Sequence, residues 1–143
     1  MKIKNKDLVF LFNLVNDEEL SGKKSRMRTK FIKLVQEKAE EFEEDRQDLL
    51  KEHCKLDKEG NPKIKKGDDG QEYYDVKDMK KYNIEFIELE NSYAILEENE
   101  TNEEILKTVK DIVLNTSKTF KGQDAFVYDV ICDEFEEIYS NKE

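Results

Sequence analysis

The sequence predicts a mainly α protein: a small helical bundle built on one long amphipathic helix, with a short β-hairpin insertion. Three observations carry that expectation. Apolar residues recur at steps of three and four along most of the chain, the period of a helix that buries one face. A single Pro and five Gly leave little punctuation, which suits long helices better than a many-turned β fold. Leu, Ile, Val and Phe make up 38 of 143 residues, about 27% and above the roughly 20% below which a highly charged chain stays unfolded. With 42% charged residues the core must be thin and the faces heavily solvated. Length and the lack of a linker predict one helical domain over 1–143, with the hairpin inserted at about 55–76.

The elements follow in order. Asn5 or Asp7 can cap a first helix to about Asn16, with Leu8, Leu11, Phe12 and Val15 on one face. Asp17 to Gly22 reads as a turn. The long helix runs from about Ser25 to His53. Its stripe steps through Arg28, Phe31, Val35, Lys38, Phe42, Asp45, Leu49 and Glu52, widened by Ile32, Ala39 and Leu56. A half-apolar stripe suits a bundle and not a long coiled coil. Asp57-Lys58-Glu59-Gly60-Asn61-Pro62 must turn, because Gly60 supplies positive φ and Pro62 biases Asn61 away from helix. Lys63–Lys65 and Glu72–Val76, around Gly67-Asp68-Asp69-Gly70, fit a two-stranded hairpin.

Met79, Tyr82, Phe86 and Leu89 predict a third helix from about Val76 to Asn91, while alternation at Ile84, Phe86 and Glu88 leaves strand open within 82–97. Tyr93 to Glu97 reads as a short strand. Thr101-Asn102-Glu103-Glu104 has the pattern of a capping box ahead of Ile105, Val109, Ile112 and Val113. After a polar loop from Asn115 to Gly122, Asp124 opens a last helix to about Tyr139 that buries Val127, Ile131, Phe135 and Ile138.

Charge is distributed unevenly. Residues 1–66 carry 17 Lys/Arg against 14 Asp/Glu, and residues 67–143 carry 8 against 21, for a total of −10. Lys23, Lys24, Arg26, Arg28, Lys30 and Lys33 form a basic run with no acid among them, around the start of the long helix, where positive charge opposes the macrodipole. Such a run can bind nucleic acid, but a net charge of −10 repels a polyanion, so ion pairs within the chain or to a protein partner are the favoured reading. Asp129, Asp133, Glu136 and Glu137 cluster on the last helix. Rows of carboxylates can occupy a basic groove on a protein partner and speed association; a solvated face is the ordinary alternative.

Catalytic chemistry finds little support. His53 is the one histidine, and its neighbour Cys54 points some 100° away on a helix, a poor acid–base and thiolate pair. Nucleophile elbows, phosphate-cradling loops and HExxH are missing. Asp57, Glu59 and Asn61 depart from Ca²⁺-loop spacing. No enzyme activity, metal or cofactor is therefore expected. Cys54 and Cys132 have no metal-like spacing and read as reduced cytoplasmic thiols. The longest apolar run, Leu8 to Phe12, cannot span a bilayer. The basic start before it is broken by Asn13 and Asn16 and has no cleavage site, so a signal peptide is rejected.

Ser21-Gly22-Lys23-Lys24-Ser25-Arg26-Met27-Arg28 entering the long helix, then Asp45-Arg46, Leu49, the Asp57–Pro62 turn and the Glu85-to-Leu89 segment, resemble a family of small proteins of unknown function. That family is encoded by tailed phages and prophages of low-GC Gram-positive bacteria, and the resemblance spans roughly residues 1–115. It implies a phage origin and the cytoplasm of an infected bacterial host, with no catalytic residue or cofactor to carry over. The expected function is a non-enzymatic phage accessory protein that binds a host, antiviral-defence or phage protein through its acidic surface. Virion assembly is the alternative, nucleic-acid binding through the basic run the second, and an amphipathic long helix also permits a homodimer.

Overall fold

A computed structural model of the protein describes residues 1–140. The element order is β1 (Lys2–Lys4), a 3₁₀ turn (Asn5–Asp7), α1 (Leu8–Asn16), α2 (Gly22–His53), β2 (Ile64–Lys66), β3 (Glu72–Tyr74), α3 (Met79–Asn91), β4 (Tyr93–Ile95), α4 (Glu100–Leu114) and α5 (Gln123–Glu137). The mainly helical architecture, the long helix and the small hairpin are as the sequence predicts. Where the sequence reads as one domain, contacts divide the chain into two compact units: Met1–Ala39 with the chain from Tyr93 on, and Glu40–Ser92. The division falls inside α2, whose backbone ladder needs no Pro or Gly there, so no linker composition marks it.

The first unit holds the main core. Leu8, Leu11, Leu14 and Val15 of α1, Met27, Phe31 and Val35 of α2, Leu106, Val109 and Val113 of α4, and Ile131 and Phe135 of α5 are all buried. β1 pairs antiparallel with β4, with Ile3 opposite Ala94, and both of these side chains enter the core. No strand is expected at 2–4 from the sequence, because three residues carry too little alternation and the partner lies some ninety residues away. Phe12 stays half-buried, and Leu14 takes the fully buried place on α1.

Helix ends account for most of the polar contacts in this unit. The last four carbonyls of α1, Asn13 to Asn16, lack intrahelical donors. Lys118 Nζ donates to the Asn13 and Leu14 oxygens, each at 2.9 Å. The Arg28 guanidinium donates to Val15 O (3.0 Å) and Asn16 O (3.3 Å), and also to Glu18 O (2.8 Å). Both are cations at a helix C-terminus, where the dipole favours them. α4 begins earlier than its capping-box pattern predicts: Asn99 is the N-cap, its side chain accepting from Asn102 N at 2.8 Å. Asn102 Nδ2 in turn donates to Glu97 O at 3.0 Å. This Asn pair anchors the entry to the helix and places Thr101 inside its first turn. α5 starts after Gly122, at φ +59°, with Asp124 in its first turn.

Tyr128 ties α5 to the end of α4. Its hydroxyl donates to Val113 O at 2.7 Å, and its ring stacks on Phe120 with centroids 4.3 Å apart. Burial, reinforced by Cys132, pushes the phenol from the ordinary 10 up to about 12. The raised value favours the neutral phenol in the fold. That contribution is complete below about pH 10 and is lost as pH rises toward 12. Tyr128→Phe should cost about 0.5–1.5 kcal/mol at neutral pH and flatten the alkaline loss of stability. Urea midpoints at pH 8 and pH 11 test this; the same alkaline loss in both proteins would refute it.

The second unit contains the distal part of α2, the hairpin and α3. β2 and β3 pair antiparallel with Lys65 opposite Tyr73, and all six strand residues are exposed. Bridges between Cys54 and Val76 and between Leu56 and Pro62 extend the hairpin toward the end of α2. Leu56, expected on the long helix's stripe, lies past the helix end and is exposed. Residues 79–91 are helix, begun by Asp78, whose side chain accepts from Lys81 N at 3.2 Å. Asp57 Oδ1 accepts from Glu59 N (2.9 Å) and Asn61 N (3.0 Å), and Gly60 sits at φ +82°. These contacts are turn chemistry. Leu50, His53 and Cys54 are the buried residues of this unit, and Tyr82 stacks on Phe86 at 5.8 Å.

Candidate functional site

α5 separates cleanly into two faces. Ile131, Phe135 and, just past its end, Ile138 are buried, with Val127, Tyr128 and Cys132 half-buried beside them. At 100° per residue these occupy one side of the helix. Phe126, Asp129, Val130, Asp133, Glu136 and Glu137 fall within about 120° on the other. All six are exposed. Phe126 is 71% and Val130 52% exposed, and the four predicted acids lie around them. Glu134, at the edge of this face, accepts from the Lys2 backbone N–H at 2.8 Å. The structure therefore brings Asp129, Asp133, Glu136 and Glu137 together as the sequence expects, and adds two apolar residues to them.

Carboxylates along α4 have intramolecular roles. Glu104 pairs with Lys23, which holds its carboxyl below the usual range. Asp111 pairs with Lys24 at 3.1 Å, and Glu103 with Lys107 at 2.9 Å. Exposed pairs of this kind contribute about 0–1 kcal/mol each. They nevertheless decide the fate of the basic run. Lys23 and Lys24 face α4 acids, and Arg28 is spent on the α1 carbonyls. Arg26, Lys30 and Lys33 are exposed, with no ion pair among the described residues. The six-residue basic cluster read from the sequence is thus divided between internal contacts and solvent.

Neither thiol is set up as a nucleophile. Burial raises the Cys54 thiol, with Asp75 adding to the shift. Burial also raises Cys132, and the carboxylates of Glu136, Asp129 and Asp133 push it further despite the Tyr128 hydrogen bond. Both therefore favour the unreactive thiol form. A pocket of about 270 Å³ beside α1 is lined by Phe10, Asn13, Leu14, Asp17, Lys118, Phe120 and Asp124. Its lysine already caps α1.

In the second unit, Glu52, His53 and Glu85 form the one group of metal-ligand type among the described residues, with ligand atoms within 4.8 Å of one another. The sequence reading passed over it because Glu85 lies on α3, 32 residues from His53. Phe126 was legible in principle, since a Phe outside the 127/131/135/138 stripe must face solvent. Comparison with protein-family models, with curated proteins and with solved structures finds no match.

Proposed function

We propose that this chain is a non-enzymatic binding protein whose exposed α5 face docks a basic surface on a protein partner. The observation that carries this reading is the composition of that face. Four carboxylates, Asp129, Asp133, Glu136 and Glu137, frame Phe126 at 71% and Val130 at 52% exposure. An apolar anchor within a charged rim is the anatomy of a protein interface: the aromatic supplies affinity once buried, and the rim supplies steering and register. The two thiols, both raised by burial, support the non-enzymatic part.

The finer reading follows from the resemblance to phage accessory proteins. The partner is then a host or antiviral-defence protein, with a nucleic-acid-handling protein favoured because its basic groove matches a row of carboxylates. Nucleic-acid binding by the basic run is the weaker reading. Lys23, Lys24 and Arg28 are engaged within the chain, which leaves Arg26, Lys30 and Lys33 as the members of the run with no ion pair among the described residues. Among the described residues no helix is long and apolar enough to cross a bilayer.

Capture from nuclease-treated lysates of infected and uninfected host cells tests the proposal. It should use the wild-type chain, Phe126→Ala and the fourfold variant D129K/D133K/E136K/E137K. A partner held by the wild type should bind the fourfold variant about tenfold or more weakly, a loss of about 1.4 kcal/mol, with a flatter salt dependence. Phe126→Ala should raise the off-rate. Unchanged capture by both variants removes this face from the interface, and capture of virion proteins alone moves the function to assembly.

A further inference from the structure

We infer that Glu52, His53 and Glu85 bind a divalent transition-metal ion of the Zn²⁺ class, which fastens the end of α2 to α3. The site is independent of the α5 face and rests on other observations. His53 is 6% exposed, and among the described residues it is the one polar side chain in the buried class. Its Nε2 contacts Glu85 Oε2, and its ring stands edge-on to Tyr82 at 6.0 Å. Glu52, one residue earlier on α2, adds a second carboxylate, and the three ligand atoms lie within 4.8 Å of one another.

The donor set is suited to the ion. One imidazole nitrogen and two carboxylate oxygens are ordinary Zn²⁺ ligands at about 2.0–2.2 Å. A tetrahedral ion would space them at roughly 3.4 Å. Each Glu has enough rotatable bonds to close the difference from an exposed or half-buried position. The ion would replace the direct His53–Glu85 contact, and its fourth position would hold water.

Charge points the same way. Among the described residues neither Glu52 nor Glu85 pairs with a Lys or Arg. Two carboxylates with no Lys or Arg partner, beside a buried imidazole, suit a divalent cation. The unit also has a use for one. Its buried residues are Leu50, His53 and Cys54, and small units with so little core are commonly held by a metal or a disulfide. Cys54 and Cys132 are both free thiols.

Calorimetric titration of the chelator-treated full chain with Zn²⁺ tests the site, with Mg²⁺ as the control ion. Thermal melting should be followed in parallel. Zn²⁺ should bind at one equivalent and raise the melting temperature, as a ligand of the folded state must, while Mg²⁺ at the same concentration should do neither. Glu52→Gln changes an exposed residue and should leave metal-free melting unchanged while weakening Zn²⁺ binding by about tenfold or more. Glu85→Gln should weaken it as much, and His53→Asn should abolish it. The loss of one His53 ring proton signal on adding Co²⁺ to the wild type would place the ion on the imidazole. No heat and no shift in melting with Zn²⁺, or equal binding by wild type and Glu52→Gln, would overturn the assignment.

Discussion

Phe135→Ala should be among the most damaging single substitutions in the chain. Phe135 is fully buried on α5, and its ring packs against Phe31 of α2 with centroids 6.0 Å apart and planes tilted by 47°. Removing a buried ring loses its transfer free energy and leaves a cavity, and such changes cost about 3–5 kcal/mol. A protein of this size has only about 5–15 kcal/mol in total, and this core is thin because charged residues make up 42% of the chain. The melting temperature should fall by roughly 10 °C or more. Phe135→Leu, which keeps most of the volume, should lose less than half as much. Equilibrium urea unfolding of the three proteins checks both values. A loss below about 1 kcal/mol would mean that α5 does not depend on this contact.

Arg28→Met should be the most costly exchange outside the core. Nη1 of the guanidinium reaches three carbonyls, Val15, Asn16 and Glu18, and no neutral side chain of that length brings a donor to all three. Met keeps an apolar stem of similar length and removes the donors. Hydrogen bonds to a charged group contribute about 1.5–3 kcal/mol, and the cation at the helix terminus adds up to about 1 kcal/mol. Water can reach part of the site, since Arg28 is half-buried, so a net loss of about 1–3 kcal/mol is expected. Arg28→Lys should recover only part of it, because the lysine side chain is shorter and its ammonium more strongly hydrated. Hydrogen exchange gives the local readout: amides near the end of α1 should lose protection before those of α4. A uniform loss across both helices would show that Arg28 acts through the core and not as a cap.

Arg28 also shows where sequence reading reached its limit. In the sequence it belongs to a basic run that invites a nucleic-acid reading. In the structure it is a capping residue, and Lys118, a lysine outside that run, completes the same cap. Charge is visible in a sequence, but the partner of a charge is set by packing between helices. The acidic row on α5 was legible for the opposite reason. Asp129, Asp133, Glu136 and Glu137 recur with the helical period, and a helix whose other face carries Ile131 and Phe135 has only one way to turn them. Asn99 and Thr101 make a finer version of the same point. Both residues can cap a helix, and the capping-box pattern favoured Thr101; the Asn102 bond to Glu97 O decided for Asn99.

The sequence by itself determined the helices, the hairpin and the acidic face, because each is a local consequence of period, turn residues and composition. The strand at Lys2–Lys4 was decided by tertiary structure alone, since its hydrogen bonds go to Tyr93–Ile95. So was the division of the chain within α2, because a continuous helix shows no boundary in its residues. The Glu52–His53–Glu85 group belongs with these: a ligand set assembled from two helices exists only after the chain has folded. Local order is encoded in neighbouring residues, and long-range pairing is encoded only in which surfaces can be buried together.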